Sequence, residues 1–160
     1  MNLDWINSLS EAEAKTAFLH CCGSPRWAEQ MAKSRLFKNE AALFTSAERI
    51  WRNLSREEWL EAFAAHPMIG DPQSLRAKYG QSATWSADEQ AGVSGSTEEV
   101  LQSVALGNRL YAEKFGYIFI VFATGKTADQ VLELLHQRLK NDPEKEILLA
   151  ADEQEKITRL

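Results

Sequence analysis

His66 is followed directly by Pro67, and a proline disfavours helical geometry in the residue before it. A helix read over 56–65 must therefore end at the histidine. The imidazole is then placed at a helix C-terminus, among carbonyls and a dipole that suit a ring able to take and give protons near neutral pH. The competing reading is a capping histidine that satisfies those carbonyls. Glu89 is the fourth residue of Ser86-Ala87-Asp88-Glu89, a Ser-x-x-Glu capping box whose glutamate reaches back to the serine amide. The same helix start presents free amides that can receive an anion such as a carboxylate, so a binding role and a capping role coexist there. His20 and His136 lie inside helical segments and read as ordinary helix residues.

Other groupings lack the geometry for chemistry. Cys21 and Cys22 are adjacent, so a disulfide between them would be strained; they read as reduced thiols, and no second Cys or His cluster completes a metal shell around His20-Cys21-Cys22. No metal is expected. Gly125-Lys126-Thr127 has the ending of a phosphate-binding loop, but that loop needs a glycine where this chain has Ile120. Thr127 reads instead as the N-cap of the next helix.

The elements that must position these residues are helical. Ser10 with Glu13, Ser55 with Glu58 and Ser96 with Glu99 repeat the capping-box spacing, and Ser24 precedes Pro25, a residue well suited to the first helical position. Helices are predicted over 11–20, 25–36, 40–53, 56–65, 87–92, 97–115, 128–140 and 144–158. Val100, Leu101, Val104, Leu110, Tyr111 and Phe115 form one apolar stripe, and Val131, Leu132, Leu134, Leu135 and Leu139 another. Between His66 and Trp85 the breakers Pro67, Gly70, Pro72 and Gly80 predict a long loop with a helical turn near 74–79. Tyr117 to Ala123 is a β-prone apolar run that reads either as extended chain or as buried helix; no strand pair is available to it. The sum is an all-α fold, one compact domain of about eight helices spanning 1–160, without repeat or linker.

Composition bounds the function. With 160 residues, 44% hydrophobic and 26% charged, the chain is that of a folded globular domain. A net charge of −5 with scattered basic residues argues against nucleic acid, and the run from Tyr117 to Ala123 is far shorter than the roughly 18 residues of a membrane span. The N-terminus lacks the pattern of a secretory signal, so a cytoplasmic location is expected.

Ordered motifs then point to a family. His66-Pro67-Met68-Ile69-Gly70-Asp71, followed by Trp85-Ser86-Ala87-Asp88-Glu89-Gln90-Ala91-Gly92, resembles the HPxIGD and SxxEQ signatures of the OHCU decarboxylases. Those enzymes act on 2-oxo-4-hydroxy-4-carboxy-5-ureidoimidazoline, an unstable product of urate oxidation. The likeness extends to Cys22-Gly23-Ser24 with Trp27-Ala28, to Asn108-Arg109-Leu110-Tyr111 with Phe115 to Ile120, and to the final Glu155 to Leu160. The resemblance implies an all-helical enzyme, frequently a homodimer, that needs no cofactor and releases carbon dioxide to give S-allantoin. It implies that His66 and Glu89 are catalytic. It also implies that Pro67, Ser86, Gln90, Arg159 and the stretch Phe119, Ile120, Val121, Phe122 and Ala123 contact substrate, the stretch through its main chain. The ending Thr158-Arg159-Leu160 differs from the peroxisomal tripeptide common in eukaryotic members, which fits a bacterial cytoplasmic one. Two other readings stay open: a hydrolase of a related ureido compound, and a helical binding module without catalysis.

Overall fold

Side-chain oxygens at helix starts account for most of the architecture. In the computed structural model, Ser10 and Ser55 form complete capping boxes with Glu13 and Glu58, Thr127 forms one with Gln130, and Asn2, Ser24 and Asn39 each accept from a first-turn amide. The structure describes residues 2–66 and 87–160, the stretch 87–97 as backbone only. The described helices are α1 (Leu3–Ser8), α2 (Glu11–Cys22), α3 (Pro25–Lys33), α4 (Glu40–Arg52), α5 (Arg56–Ala64), α6 (Ala87–Phe115), α7 (Ala128–Arg138) and α8 (Pro143–Thr158). No strand occurs among the described residues, so the fold is all-α. The loop predicted over 66–85 lies, beyond His66, outside them.

Two differences from the sequence expectation concern helix ends. α1 is an additional short helix, begun by Asn2, whose side chain accepts from the amides of Asp4 and Trp5. The helices predicted at 87–92 and 97–115 are one, α6. Ser96 with Glu99 has the spacing of a capping box, but Ser96 lies inside the helix, and the glycines at 92 and 95 keep their N–H groups and cost only about 1 kcal/mol each against alanine, so they weaken the ladder without cutting it. Proline would have cut it.

The chain divides into two compact units, Met1–His66 with Ala151–Leu160, and Pro67–Ala150. In the first, Phe18, Trp27, Met31, Trp51 and Phe63 are buried together with Ile6 and Ala28. The Phe18 ring meets both Trp27 and Phe37 edge-on, an arrangement favoured by the quadrupoles of the rings. Indole N–H groups then tie one helix to another. Trp27 donates to the Ala47 carbonyl, Trp51 to that of Ala151 and Trp59 to that of Trp51, each at 3.0 Å.

In the second unit Leu101, Val104 and Ala105 of α6 pack with Ala128, and Val131 and Leu135 of α7 are buried. The predicted stripe on α6 holds except at Leu110, which is exposed. The inward positions are 101, 104, 105, 108 and 111, a helical progression that leaves Leu110 one step off the face. No described helix is long and apolar enough to cross a membrane.

Candidate functional site

His66 is delivered by α5. The Ser55–Glu58 box starts that helix, Ala62 and Phe63 bury its inner face, and the His66 amide closes its last turn on the Phe63 carbonyl at 3.2 Å. The position of this helix end depends on a glycine. Gly23, the left-handed C-cap of α2 at φ 67°, has no side chain, and a Cβ there would stand 2.4 Å from the Cβ of Ala65. The bare backbone lets the residue before His66 sit against the α2–α3 turn.

The half-buried His66 ring is fixed from the other side by α8. Its Nε2 lies 2.5 Å from Oε1 of Gln154, a side chain with no exposure at all. Gln154 Nε2 donates in turn to Thr158 Oγ1 at 3.2 Å, and that hydroxyl donates to the Gln154 carbonyl at 3.0 Å. Burial pushes the nearby Cys22 thiol up to about 11, while the Ser24 backbone and the Thr158 side chain pull the other way. The thiol stays protonated at neutral pH. Cys21 is raised as well, again by burial, and both cysteines are free.

A cavity of about 440 Å³ opens beside this arrangement, within the first unit. His66 and Arg159 both line it, with Trp27, Met31, Phe44 and Trp51 among the apolar walls and Cys21, Glu48, Glu155 and Thr158 among the polar ones. The exposed Arg159 guanidinium lies over the Phe44 ring at 5.1 Å, a cation–π contact that orients it. Arg52 pairs with two of the lining carboxylates, Glu48 at 3.3 Å and Glu155 at 3.4 Å. His20, read from sequence as an ordinary helix residue, is on the wall of the same cavity.

The stretch Phe119 to Ala123 belongs to the second unit. It is neither helix nor strand, which excludes the buried-helix reading. What holds it is a buried ionic cluster. Arg138, at the end of α7, donates from Nη1 to the Ile120 carbonyl at 2.6 Å and from Nε to Glu146 at 2.6 Å. Its guanidinium also lies 4.8 Å from the Phe119 ring. Glu146 is fully buried and accepts further hydrogen bonds from Tyr111 Oη and, at 2.7 Å, from Asn141. Every oxygen of that carboxylate thus has a partner, the condition under which a buried ion pair is tolerated. Burial holds the Tyr111 phenol protonated far above its usual range, against the opposing pull of Arg138. At the far end of the stretch Lys126 Nζ donates to the Phe122 carbonyl at 2.8 Å.

Of the residues singled out from sequence, His66 and Arg159 therefore meet at one cavity. Phe119, Ile120, Val121, Phe122 and Ala123 form an anchored segment in the other unit. Pro67 and Ser86 lie outside the described residues, and Glu89 and Gln90 are placed only as backbone in α6. Sequence reasoning missed Gln154 and Arg138. Both carry a signal: each is a polar residue at an inward position of an otherwise apolar stripe, 147, 150, 151, 154 on α8 and 128, 131, 135, 138 on α7.

The likeness to known proteins runs along nearly the whole chain. Residues 7–160 match the family model described as OHCU decarboxylase. A uric acid degradation bifunctional protein of Arabidopsis thaliana, TTL, is 36% identical over 140 residues, covering 88% of this chain and 43% of that protein. The 2-oxo-4-hydroxy-4-carboxy-5-ureidoimidazoline decarboxylase of Haloferax volcanii is 26% identical, over 100% of this chain and 93% of its own. This chain thus spans less than half of the bifunctional relative and nearly all of the Haloferax volcanii protein. Among solved structures, an OHCU decarboxylase crystallised in the presence of (S)-allantoin superposes with a TM-score of 0.70 at 39% identity, covering 89% of this chain and 91% of that one. An (S)-allantoin synthase shares the fold, with a TM-score of 0.72 at 21% identity over 99% of this chain and 51% of the other.

Proposed function

This chain belongs to the OHCU decarboxylase family, and from that premise we propose that it converts 2-oxo-4-hydroxy-4-carboxy-5-ureidoimidazoline to S-allantoin and carbon dioxide. The observation that carries the proposal is the meeting of His66 and Arg159 at one cavity, with the imidazole held by a buried partner.

Loss of carbon dioxide leaves an electron pair that needs somewhere to go, and this substrate carries its own acceptor. The carbon bearing the carboxylate also bears a hydroxyl and adjoins a ring C=N bond. As the bond to the carboxylate breaks, its electrons form a double bond between the two ring carbons, and the displaced C=N pair moves onto nitrogen, which takes up one proton from solvent. The resulting enol needs to lose its hydroxyl proton and gain one at the neighbouring carbon. His66 handles these protons as general base and then general acid. Delivery to one face fixes the handedness of the product.

Glu89 holds His66 or the ureido group in position, and Gln90 offers a donor and an acceptor to the amide edges of the ring. Pro67, Ser86 and the main chain of 119–123 supply the remaining contacts. Arg159 acts at the rim or on a carbonyl, since a tight ion pair with the departing carboxylate would stabilise the ground state instead of the transition state. The same reading takes the protein as a cytoplasmic homodimer working without a cofactor, and the two free, adjacent thiols suit a reducing compartment.

The test generates the labile substrate from urate in situ and follows circular dichroism with ultraviolet absorbance. Rapid formation of one allantoin enantiomer by the parent protein, with His66→Ala slower by about 10²-fold or more, is the expected result. Decay at the protein-free rate with the parent protein would refute the activity and favour the binding-module reading.

A further inference from the structure

The hydrogen bonds around Gln154 determine which nitrogen of His66 is the basic one. Three groups are linked: the imidazole that follows α5, and the Gln154 amide and Thr158 hydroxyl on consecutive turns of α8. A hydroxyl has one proton to give, and that of Thr158 goes to the Gln154 main-chain carbonyl at 3.0 Å. Towards the Gln154 side chain Thr158 is then an acceptor, and it is met by the amide nitrogen at 3.2 Å. This fixes the amide the other way round at its second contact, where the carbonyl oxygen Oε1 faces His66 Nε2 at 2.5 Å. A carbonyl oxygen only accepts, so Nε2 must carry a hydrogen. In a neutral imidazole the lone pair is then on Nδ1. The protonated Cys22 thiol leaves this order undisturbed, because it is not a thiolate competing for the threonine proton.

We propose that Gln154 is a positioning residue that locks His66 in the Nε2–H tautomer and so makes Nδ1 the atom that exchanges protons with substrate. This rests on the reading of His66 as the proton-handling group and adds to it the atom and the residue that selects it. When Nδ1 takes the substrate hydroxyl proton, the O–H bond breaks as the Nδ1–H bond forms and its electrons become part of the new carbonyl; Nδ1 then gives the proton to the neighbouring ring carbon and returns to neutral. Nε2 remains a donor to Gln154 in both protonation states, so the ring keeps its orientation through the cycle. Because Gln154 has no exposure, the lock is shielded from competing water.

Histidine-selective ¹⁵N labelling tests the lock on the ligand-free protein, at a pH where the ring is neutral. The parent protein is expected to show Nε2 as the protonated nitrogen, with a slowly exchanging downfield proton signal. Gln154→Leu is expected to lose that signal, to lower kcat by about tenfold and to leave KM within about twofold, the pattern of a lost orienting contact. Gln154→Glu retains an acceptor at the same place. It is expected to keep the Nε2–H signal, to recover most of kcat and to move the acid limb of the kcat/KM profile to higher pH by about one unit, since a carboxylate favours the imidazolium. A neutral parent ring protonated at Nδ1, or an Nε2–H signal that survives in Gln154→Leu, would overturn the proposal. The spectrum needs no turnover: an inactive parent protein with the Nε2–H lock in place would refute the decarboxylase reading and leave the lock standing. The parent spectrum alone decides the tautomer should Gln154→Leu fail to fold.

Discussion

At the scale of single residues, the two members of the cavity lining singled out from sequence have unequal surroundings. His66 is half-buried and bonded to a side chain of zero exposure, whereas Arg159 is exposed and, among the described residues, is held by its contact with Phe44. An exposed cation on an aromatic face contributes about 0.5–1 kcal/mol and is readily replaced by water. Arg159→Ala is therefore expected to raise KM by about two- to fivefold with kcat within about twofold, measured in the coupled assay from urate. A fall in kcat matching that of His66→Ala would instead place the guanidinium at the reacting carbon. The motifs around His66 were enough to single it out in the sequence. Gln154 was not legible, because a contact between residues 88 positions apart depends on how α5 and α8 pack, and a lone glutamine on a helix has many harmless explanations.

At the scale of elements, helix starts were the most legible feature, since Ser-x-x-Glu and Ser-Pro place their own hydrogen bonds within one turn. Helix continuity was less legible: Ser96-x-x-Glu99 has the spacing of a helix start, yet α6 runs straight through it. The run 117–123 was ambiguous for a different reason. Its conformation is imposed by Arg138 on another element, which takes up the Ile120 carbonyl that no strand partner supplies. Two glycines at packed positions give opposite expectations. A methyl at Gly23 meets the Cβ of Ala65 at 2.4 Å, on a backbone whose φ of 67° already disfavours a side chain. Gly23→Ala is thus expected to cost about 2–4 kcal/mol. A methyl at Gly107 meets Leu135 Cδ2 at 2.6 Å, the movable end of a flexible side chain, within a helix that gains from alanine. Gly107→Ala is expected to lie within about 1 kcal/mol of the parent. Urea midpoints of the two variants check both, and equal losses would show that the Ala65 contact relaxes as easily as the leucine does.

For the whole molecule, stability should depend on the alkaline side of the pH scale. Tyr111 is held protonated in the folded state, first by burial, while in the unfolded chain its phenol titrates at its ordinary value of 10.0. A group whose folded value is raised gives its full contribution below the unfolded value and loses it as pH rises beyond that point. Cys22 acts in the same direction between its ordinary 9.0 and about 11. The melting temperature is accordingly expected to fall from about pH 9 upward, and Tyr111→Phe, though less stable at pH 7, should show a shallower decline above pH 10. A parallel decline in the two proteins would remove Tyr111 as a source of it. The acidic net charge of −5 adds a general repulsion that grows in the same range.

The indole ties of the first unit have a consequence for how this protein can be watched. Among the described residues, all the tryptophans, Trp5, Trp27, Trp51 and Trp59, fall in the first unit, and both tyrosines, Tyr111 and Tyr117, fall in the second. Three of those indoles donate to carbonyls of the same unit, so their emission is tied to its integrity. In a Trp85→Phe background the molecule thus carries two intrinsic dyes of different colour: red-edge excited fluorescence then reports on the helices that hold His66, and phenol absorbance on the unit whose cluster anchors residues 119–123.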